Sequence, residues 1–179
     1  AVVSYQTAYL KYYYPVEFMA ALLTSVIDNS GKVAEYIYSC RQMGIQILPP
    51  DINKSVGTFS VENGNIRFGL TAIKSVGRPV IQAIIEERNE RGEFKHLKDF
   101  IERMGGREVN KRTIENFIKA GVFDSLGGTR KQFMMIYIQI MDQVNQERKY
   151  SMTGQMSLFD LVDDEQKKEF EIPLPKVGE

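Results

Sequence analysis

The sequence predicts a mainly α fold carrying one small β-hairpin. Three observations predict it. Apolar residues recur at helical spacing through most of the chain, as in Phe18, Leu22 and Val26. Prolines and glycines stand at the borders of these segments, with Pro15 and Pro79 placed for first helical turns and Gly44 and Gly121 for ends. Only residues 58–69 alternate apolar and polar, about a central Asn63-Gly64.

In order, Tyr5 to Tyr12 contains no helix breaker, and Pro15 opens a second helix whose buried stripe is Phe18, Leu22 and Val26. Asp28-Asn29-Ser30-Gly31 ends it and offers Ser30 as the next N-cap. Val33, Ile37 and Cys40 carry the third helix, with Gly44 as its C′ residue, and Ile45-Gln46-Ile47-Leu48 forms a short strand before Pro49-Pro50. The hairpin then sets Phe59 and Val61 on one arm, Ile66 and Phe68 on the other. A short helix, a tight Ser75-Val76-Gly77 hairpin and a helix opened by Pro79 follow. Leu97–Met104 is another short helix, closed by Gly105-Gly106.

Asn110 caps a helix over residues 111–119, Ala120-Gly121-Val122-Phe123 makes its turn, and a long helix runs from Thr129 to about Arg148. The two helix, glycine turn, helix units lie about forty-four residues apart, from Gly77 to Gly121, as a loose internal repeat. Beyond Tyr150 the pattern dissolves into a linker and an acidic tail in which Pro173 and Pro175 oppose a helix. Ala1-Val2-Val3 reads as buried, so the chain is expected to begin inside an element of something larger.

The 179 residues allow one domain or two small ones. No apolar run reaches membrane-spanning length, and the single cysteine, Cys40, excludes an internal disulfide and a multi-cysteine zinc site. A cytoplasmic setting is expected. Net charge is zero, yet residues 70–131 carry thirteen Lys/Arg against nine Asp/Glu, while the tail from Gly154 has three against seven. A basic middle and an acidic end direct any polyanion to the middle.

A hairpin followed by a helix start presents backbone N–H groups and the positive end of a helix dipole, a cradle for a phosphate oxygen. Lys74, Ser75, Val76, Gly77 and Arg78 form the first such corner. Lys111, Arg112, Lys119, Gly121, Arg130 and Lys131 surround the second. Contacts of this kind hold a nucleic-acid backbone without reading bases. Glu86, Glu87 and Arg88 read as a solvated face. Gln155-Met156-Ser157-Leu158-Phe159 places two large apolar side chains in a polar tail, as an anchor for a partner's pocket would. Catalysis finds little support: no Asp-x-Asp pair exists, Asp163-Asp164 and Glu169-Phe170-Glu171 lie in the tail, His96 reads as structural or simply exposed, and Cys40 as core.

These residues carry a resemblance. Ser4-Tyr5-Gln6-Thr7-Ala8-Tyr9-Leu10-Lys11 and the run from Tyr14 to Leu23 resemble the end of the fingers domain of bacterial replicative DNA polymerase III alpha subunits. Gly44-Ile45, Leu48 to Asn53, Ile66 to Leu70, Ile73 to Gly77, Val109 to Arg112 and Ala120 to Leu126 are similar to the same family, so the resemblance runs from Ala1 to Phe159. The chain departs from that pattern at Arg78-Pro79 and Gly105-Gly106.

The resemblance implies a helical fingers remnant over 1–53, a tandem helix-hairpin-helix DNA-binding domain over 54–149, and a tail over 150–179 with an internal sliding-clamp-binding peptide. In that peptide Leu158 and Phe159 enter the clamp's apolar pocket and Gln155 bonds at its edge. The parent would be a DNA-directed DNA polymerase, a nucleotidyltransferase using magnesium and deoxynucleoside triphosphates. Its catalytic aspartates belong to a palm domain outside this chain, so the segment itself is expected to be inactive, without catalytic residues, metal or cofactor. Expected partners are primer-template duplex DNA, the clamp (the beta subunit) and other replicase subunits, with no membrane. The alternative is a module that binds only the clamp, its hairpins serving as packing.

Overall fold

A computed structural model describes residues 2–105, 109–152 and 173–175, side chains of 150–152 excepted. Seven α-helices and a small sheet build two adjoining apolar centres among these residues. The mainly α class read from the sequence is the class observed.

Helices α1 (Val2–Tyr13), α2 (Pro15–Ser25) and α3 (Ser30–Gln42) come first. α1 buries nothing, contrary to the burial expected of Val2 and Val3, which are exposed. Pro15 starts α2, where its missing N–H costs no bond. The buried stripe of α2 is Met19, Ala20 and Leu23, with Phe18, Leu22 and Val26 only half-buried around it. The face is therefore turned from the expected one, because the sheet and α3 both pack on it and tertiary contact decides among several apolar residues. The cap of α3 is Asn29, not Ser30: its side chain accepts a bond from the Lys32 N–H at 3.1 Å. Gly44 follows α3 at φ 75°, the left-handed end the sequence predicts.

Strands β1 (Ile47–Leu48), β2 (Ser60–Glu62) and β3 (Asn65–Arg67) form one sheet in the order β1-β3-β2. Asn63 and Gly64 take φ 50° and 76°, so the hairpin turns on two left-handed residues as an Asn-Gly turn should. β1 pairs parallel to β3, Ile47 opposite Ile66, which enlarges the predicted hairpin to three strands. Ile66 and Phe59 are buried with Met19, Leu23, Val33 and Cys40 in the smaller centre. The sheet thus spans the expected boundary at residue 53, with β1 before it and β2 and β3 after.

A 3-10 turn (Leu70–Ala72) leads to α4 (Arg78–Arg91), α5 (Leu97–Met104) and α6 (Lys111–Ala120). A second 3-10 turn (Asp124–Leu126) leads to α7 (Arg130–Met152). Their apolar faces meet in the larger centre around a chain of aromatic rings. Phe100 lies 5.1 Å from Phe94 and 5.0 Å from Phe123 between centroids, and Phe123 lies 5.9 Å from Phe117. His96 caps α5 through Nδ1, which accepts from the Asp99 N–H at 3.0 Å.

Polar side chains tie residues 51–55 to this centre. Asn53 donates to the Phe94 carbonyl at 2.9 Å and accepts from its N–H at 2.8 Å. Arg88 donates to the carbonyls of Ile52 at 2.8 Å and Ser55 at 3.0 Å. Glu87 is 2 % exposed and accepts from Arg103 Nε at 3.1 Å, while Arg103 also lies over the Phe94 ring. Of the expected solvated face at 86–88, only Glu86 is fully exposed. A buried carboxylate is tolerable at 87 because Arg103 of α5 neutralises it, a partner that local spacing cannot reveal.

Candidate nucleic-acid interface

The first hairpin is Ile73-Lys74-Ser75-Val76-Gly77. Ile73 is buried and Val76 packs on the larger centre, so the turn is anchored from below. Lys74, Ser75, Gly77 and Arg78 face solvent above it. The left-handed residue is Ser75, at φ 63°, whereas Gly77 is extended at φ −71° and ψ 144°. Gly77 precedes α4 as its N-cap, where β-region backbone is the rule, so it does not supply the positive φ a tight hairpin invites from a glycine. Having no side chain, Gly77 gives α4 no side-chain cap. Pro79 removes one donor from the first turn, and the N–H groups of Arg78 and Val80 are left without a side-chain acceptor.

The second unit is built differently. Asn110 caps α6, its Oδ1 accepting from the Thr113 N–H at 2.9 Å. Gly121 takes the left-handed conformation at φ 81° and closes α6 through its N–H to the Ile118 carbonyl. It is buried: a Cβ there would run into the Arg130 guanidinium and the Asp124 carboxylate. At α7, the Thr129 N–H donates to Gln132 Oε1 at 2.9 Å and the Gln132 N–H to Thr129 Oγ1 at 3.3 Å, a reciprocal cap. The helix starts of α6 and α7 thus carry their own acceptors, while that of α4 has none on a side chain. The two units are not equivalent cradles.

The basic residues separate by pairing. Arg130 Nε lies 3.0 Å and Nη2 2.6 Å from the oxygens of Asp124, and this carboxylate raises the guanidinium above its already high ordinary value. Lys119 pairs with Glu115 one turn back, and Lys111 Nζ sits 3.6 Å from Asp142. Arg78 Nη2 reaches Asp28 at 2.9 Å, with both side chains more than two-thirds exposed. An exposed pair of that kind is worth little and exchanges readily for another anion. Of the candidate contacts, Lys74, Arg112 and Lys131 are exposed and pair with no carboxylate among the described residues.

One bond joins the units. Asn116 Nδ2 on α6 donates to the Lys74 carbonyl at 3.2 Å, fixing the first hairpin against the second unit's first helix. Sequence spacing held no sign of it, since the two residues are forty-two apart. The peptide Gln155-Met156-Ser157-Leu158-Phe159 lies outside the described residues, although Gln132 of α7 donates to the Pro175 carbonyl at 2.9 Å. Among the described residues no group of three His, Cys, Asp or Glu could hold a metal ion, and no helix is long and apolar enough to cross a membrane.

A family model described as "helix-hairpin-helix motif" matches residues 44–133. The chain is also similar to proteins named DNA polymerase III subunit alpha. The one from Mycobacterium tuberculosis is 43% identical over 162 residues, covering 90% of this chain and 14% of that protein. The one from Vibrio cholerae is 44% identical over 165 residues, 92% of this chain and 14% of its own length. That from Campylobacter jejuni is 50% identical over 135 residues, 73% of this chain and 11% of its own. The chain spans about one seventh of the length of the curated relatives it matches first.

Proposed function

Because the chain belongs to the helix-hairpin-helix motif family, we propose that it grips duplex DNA by its phosphate backbone, without reading sequence, as a segment of a replicative DNA polymerase. One observation carries this reading. Three exposed cations without carboxylate partners, Lys74, Arg112 and Lys131, stand at the first hairpin and at the starts of α6 and α7. Such side chains neutralise phosphates and release the counterions condensed on the DNA, with no protein carboxylate to displace first. The uncapped start of α4 adds backbone donors beside Lys74 and Arg78. Of the remaining basic residues of the second unit, Arg130 braces its turn, Lys119 pairs within α6 and Lys111 pairs with Asp142 of α7.

The polymerase activity belongs in this reading to the longer protein, with magnesium held by carboxylates outside this chain. Clamp tethering by Gln155-Met156-Ser157-Leu158-Phe159 rests on its two apolar anchors and on the resemblance of the chain to the alpha subunit. Joined to a backbone grip, such a tether keeps the protein near DNA at high effective concentration.

The test is a titration of labelled duplex DNA with the wild-type chain and with Lys74→Ala/Arg112→Ala/Lys131→Ala. The triple variant should bind at least tenfold more weakly at moderate salt, with its salt slope reduced by about three. Equal binding by both proteins would remove this assignment. For the tether, Leu158→Ala/Phe159→Ala should abolish capture by the sliding clamp and leave DNA affinity unchanged. Clamp capture with no DNA binding by the wild type would favour the module that binds only the clamp.

A further inference from the structure

We propose that Asn116 is a positioning residue for the first hairpin: by holding the Lys74 carbonyl, it turns the Ser75 N–H outward as a donor to a DNA phosphate. In a trans peptide the C=O of one residue and the N–H of the next point in opposite directions, and the described residues include no cis bond. The Lys74 carbonyl points at α6, where Asn116 Nδ2 meets it at 3.2 Å. The Ser75 N–H of the same peptide plane therefore points away from α6. Ser75 is exposed, and its N–H has no hydrogen-bond partner among the described residues. A backbone donor presented to solvent between Lys74 and Arg78 has the chemistry a phosphate oxygen requires.

The backbone explains why an outside tether is needed. Ser75 sits at φ 63°, a conformation that costs a non-glycine residue energy and persists only where surroundings impose it. Ile73 and Val76 secure the turn from the core, but neither fixes the rotation of the peptide plane between them. Asn116 does, from a helix of the other unit. α6 is itself fixed by the Asn110 cap and by buried Ile114, Phe117 and Ile118, so the amide is held by a rigid element. The bond also sets the distance between Lys74 and Arg112, which lies one turn before Asn116 on α6.

This inference rests on the duplex-backbone reading, and its test separates the two. Asn116→Ala and Asn116→Asp are compared with the wild type and with Asn116→Gln, which keeps a donor. In the free proteins, the backbone coupling of Ser75 measured by NMR reports φ. Loss of the positive-φ signature in the Ala and Asp variants, with thermal midpoints close to wild type, is expected, and its retention would overturn the positioning role whether or not DNA binds. On duplex titration, Asn116→Ala should bind about fivefold more weakly, the worth of one hydrogen bond, with the salt slope unchanged because no cation is lost, and Asn116→Asp, which adds a negative charge beside the phosphate, more weakly still. Asn116→Gln should recover part of that loss. Wild-type affinity in the Ala and Asp variants, beside a wild type that does bind DNA, would sink the inference and leave the backbone reading standing. Absence of DNA binding by the wild type would instead sink the backbone reading, and with it the phosphate-donor role of Ser75.

Discussion

At the scale of single residues, the surroundings of a charge decide its use more than its place in a motif. Arg130 and Lys131 are neighbours at the start of α7, and the sequence offers them as equivalent DNA contacts. Arg130 is engaged by Asp124 through Nε and Nη2 and lies across Gly121, while Lys131 is exposed without a partner. Arg130→Ala is therefore expected to lower stability by about 0.5 kcal/mol, the usual worth of an exposed pair. It should leave the dependence of DNA affinity on salt unchanged. Lys131→Ala should do the reverse, reducing the salt slope by about one with stability intact. Urea unfolding and salt titration of both variants check this, and matching slopes for the two would contradict it.

At the scale of elements, a partly buried ion pair braces the β-hairpin. Arg67 on β3 is 7 % exposed, and its Nε and Nη2 lie 2.7 and 2.6 Å from the oxygens of Glu62 on β2. Its Nη1 donates to the Pro49 carbonyl at 2.9 Å, which ties the chain beyond β1 to the same guanidinium. The hydrogen bond from Arg67 holds the Glu62 carboxyl below its ordinary value of 4.5, so the charged form stabilises the fold. That contribution is complete above 4.5 and is lost as pH falls through the lower, folded value. The wild-type advantage in thermal midpoint over Glu62→Gln should be full near about pH 6 and should shrink on acidification below the ordinary carboxylate range. An advantage that stays constant with falling pH would exclude the pair as its source.

The same elements show how much of the fold was legible. Asn63-Gly64 announced the hairpin because two left-handed residues in succession need those side chains. Asn110 and Gly121 marked the ends of α6 for equally local reasons. The face of α2, the burial of Glu87 and the bond from Asn116 to Lys74 were not legible. Each depends on a partner distant in sequence: the sheet and α3, Arg103 and the first hairpin. The site followed the same rule. The positions of its basic residues could be read, and so could the pairing of Lys119 with Glu115 one turn back, but the engagement of Lys111 depends on Asp142 of α7 coming near in the fold.

At the scale of the whole molecule, the larger apolar centre works as a mounting. It fixes Ile73 and Val76 beneath the first hairpin and Phe117 and Ile118 beneath α6, so the exposed Lys74, Arg112 and Lys131 ride on one packed body. The smaller centre joins it through Phe68, which packs against both, and through the exposed pair of Arg78 with Asp28. A chain with zero net charge can still hold a polyanion when several unpaired cations share one mounting. The most direct test is the affinity of the chain for two duplexes of unrelated sequence across a range of salt. The account predicts equal affinities for both, falling linearly in log–log form with a slope that reflects about three to four neutralised phosphates. An affinity indifferent to salt, or a strong preference for one sequence, would contradict it.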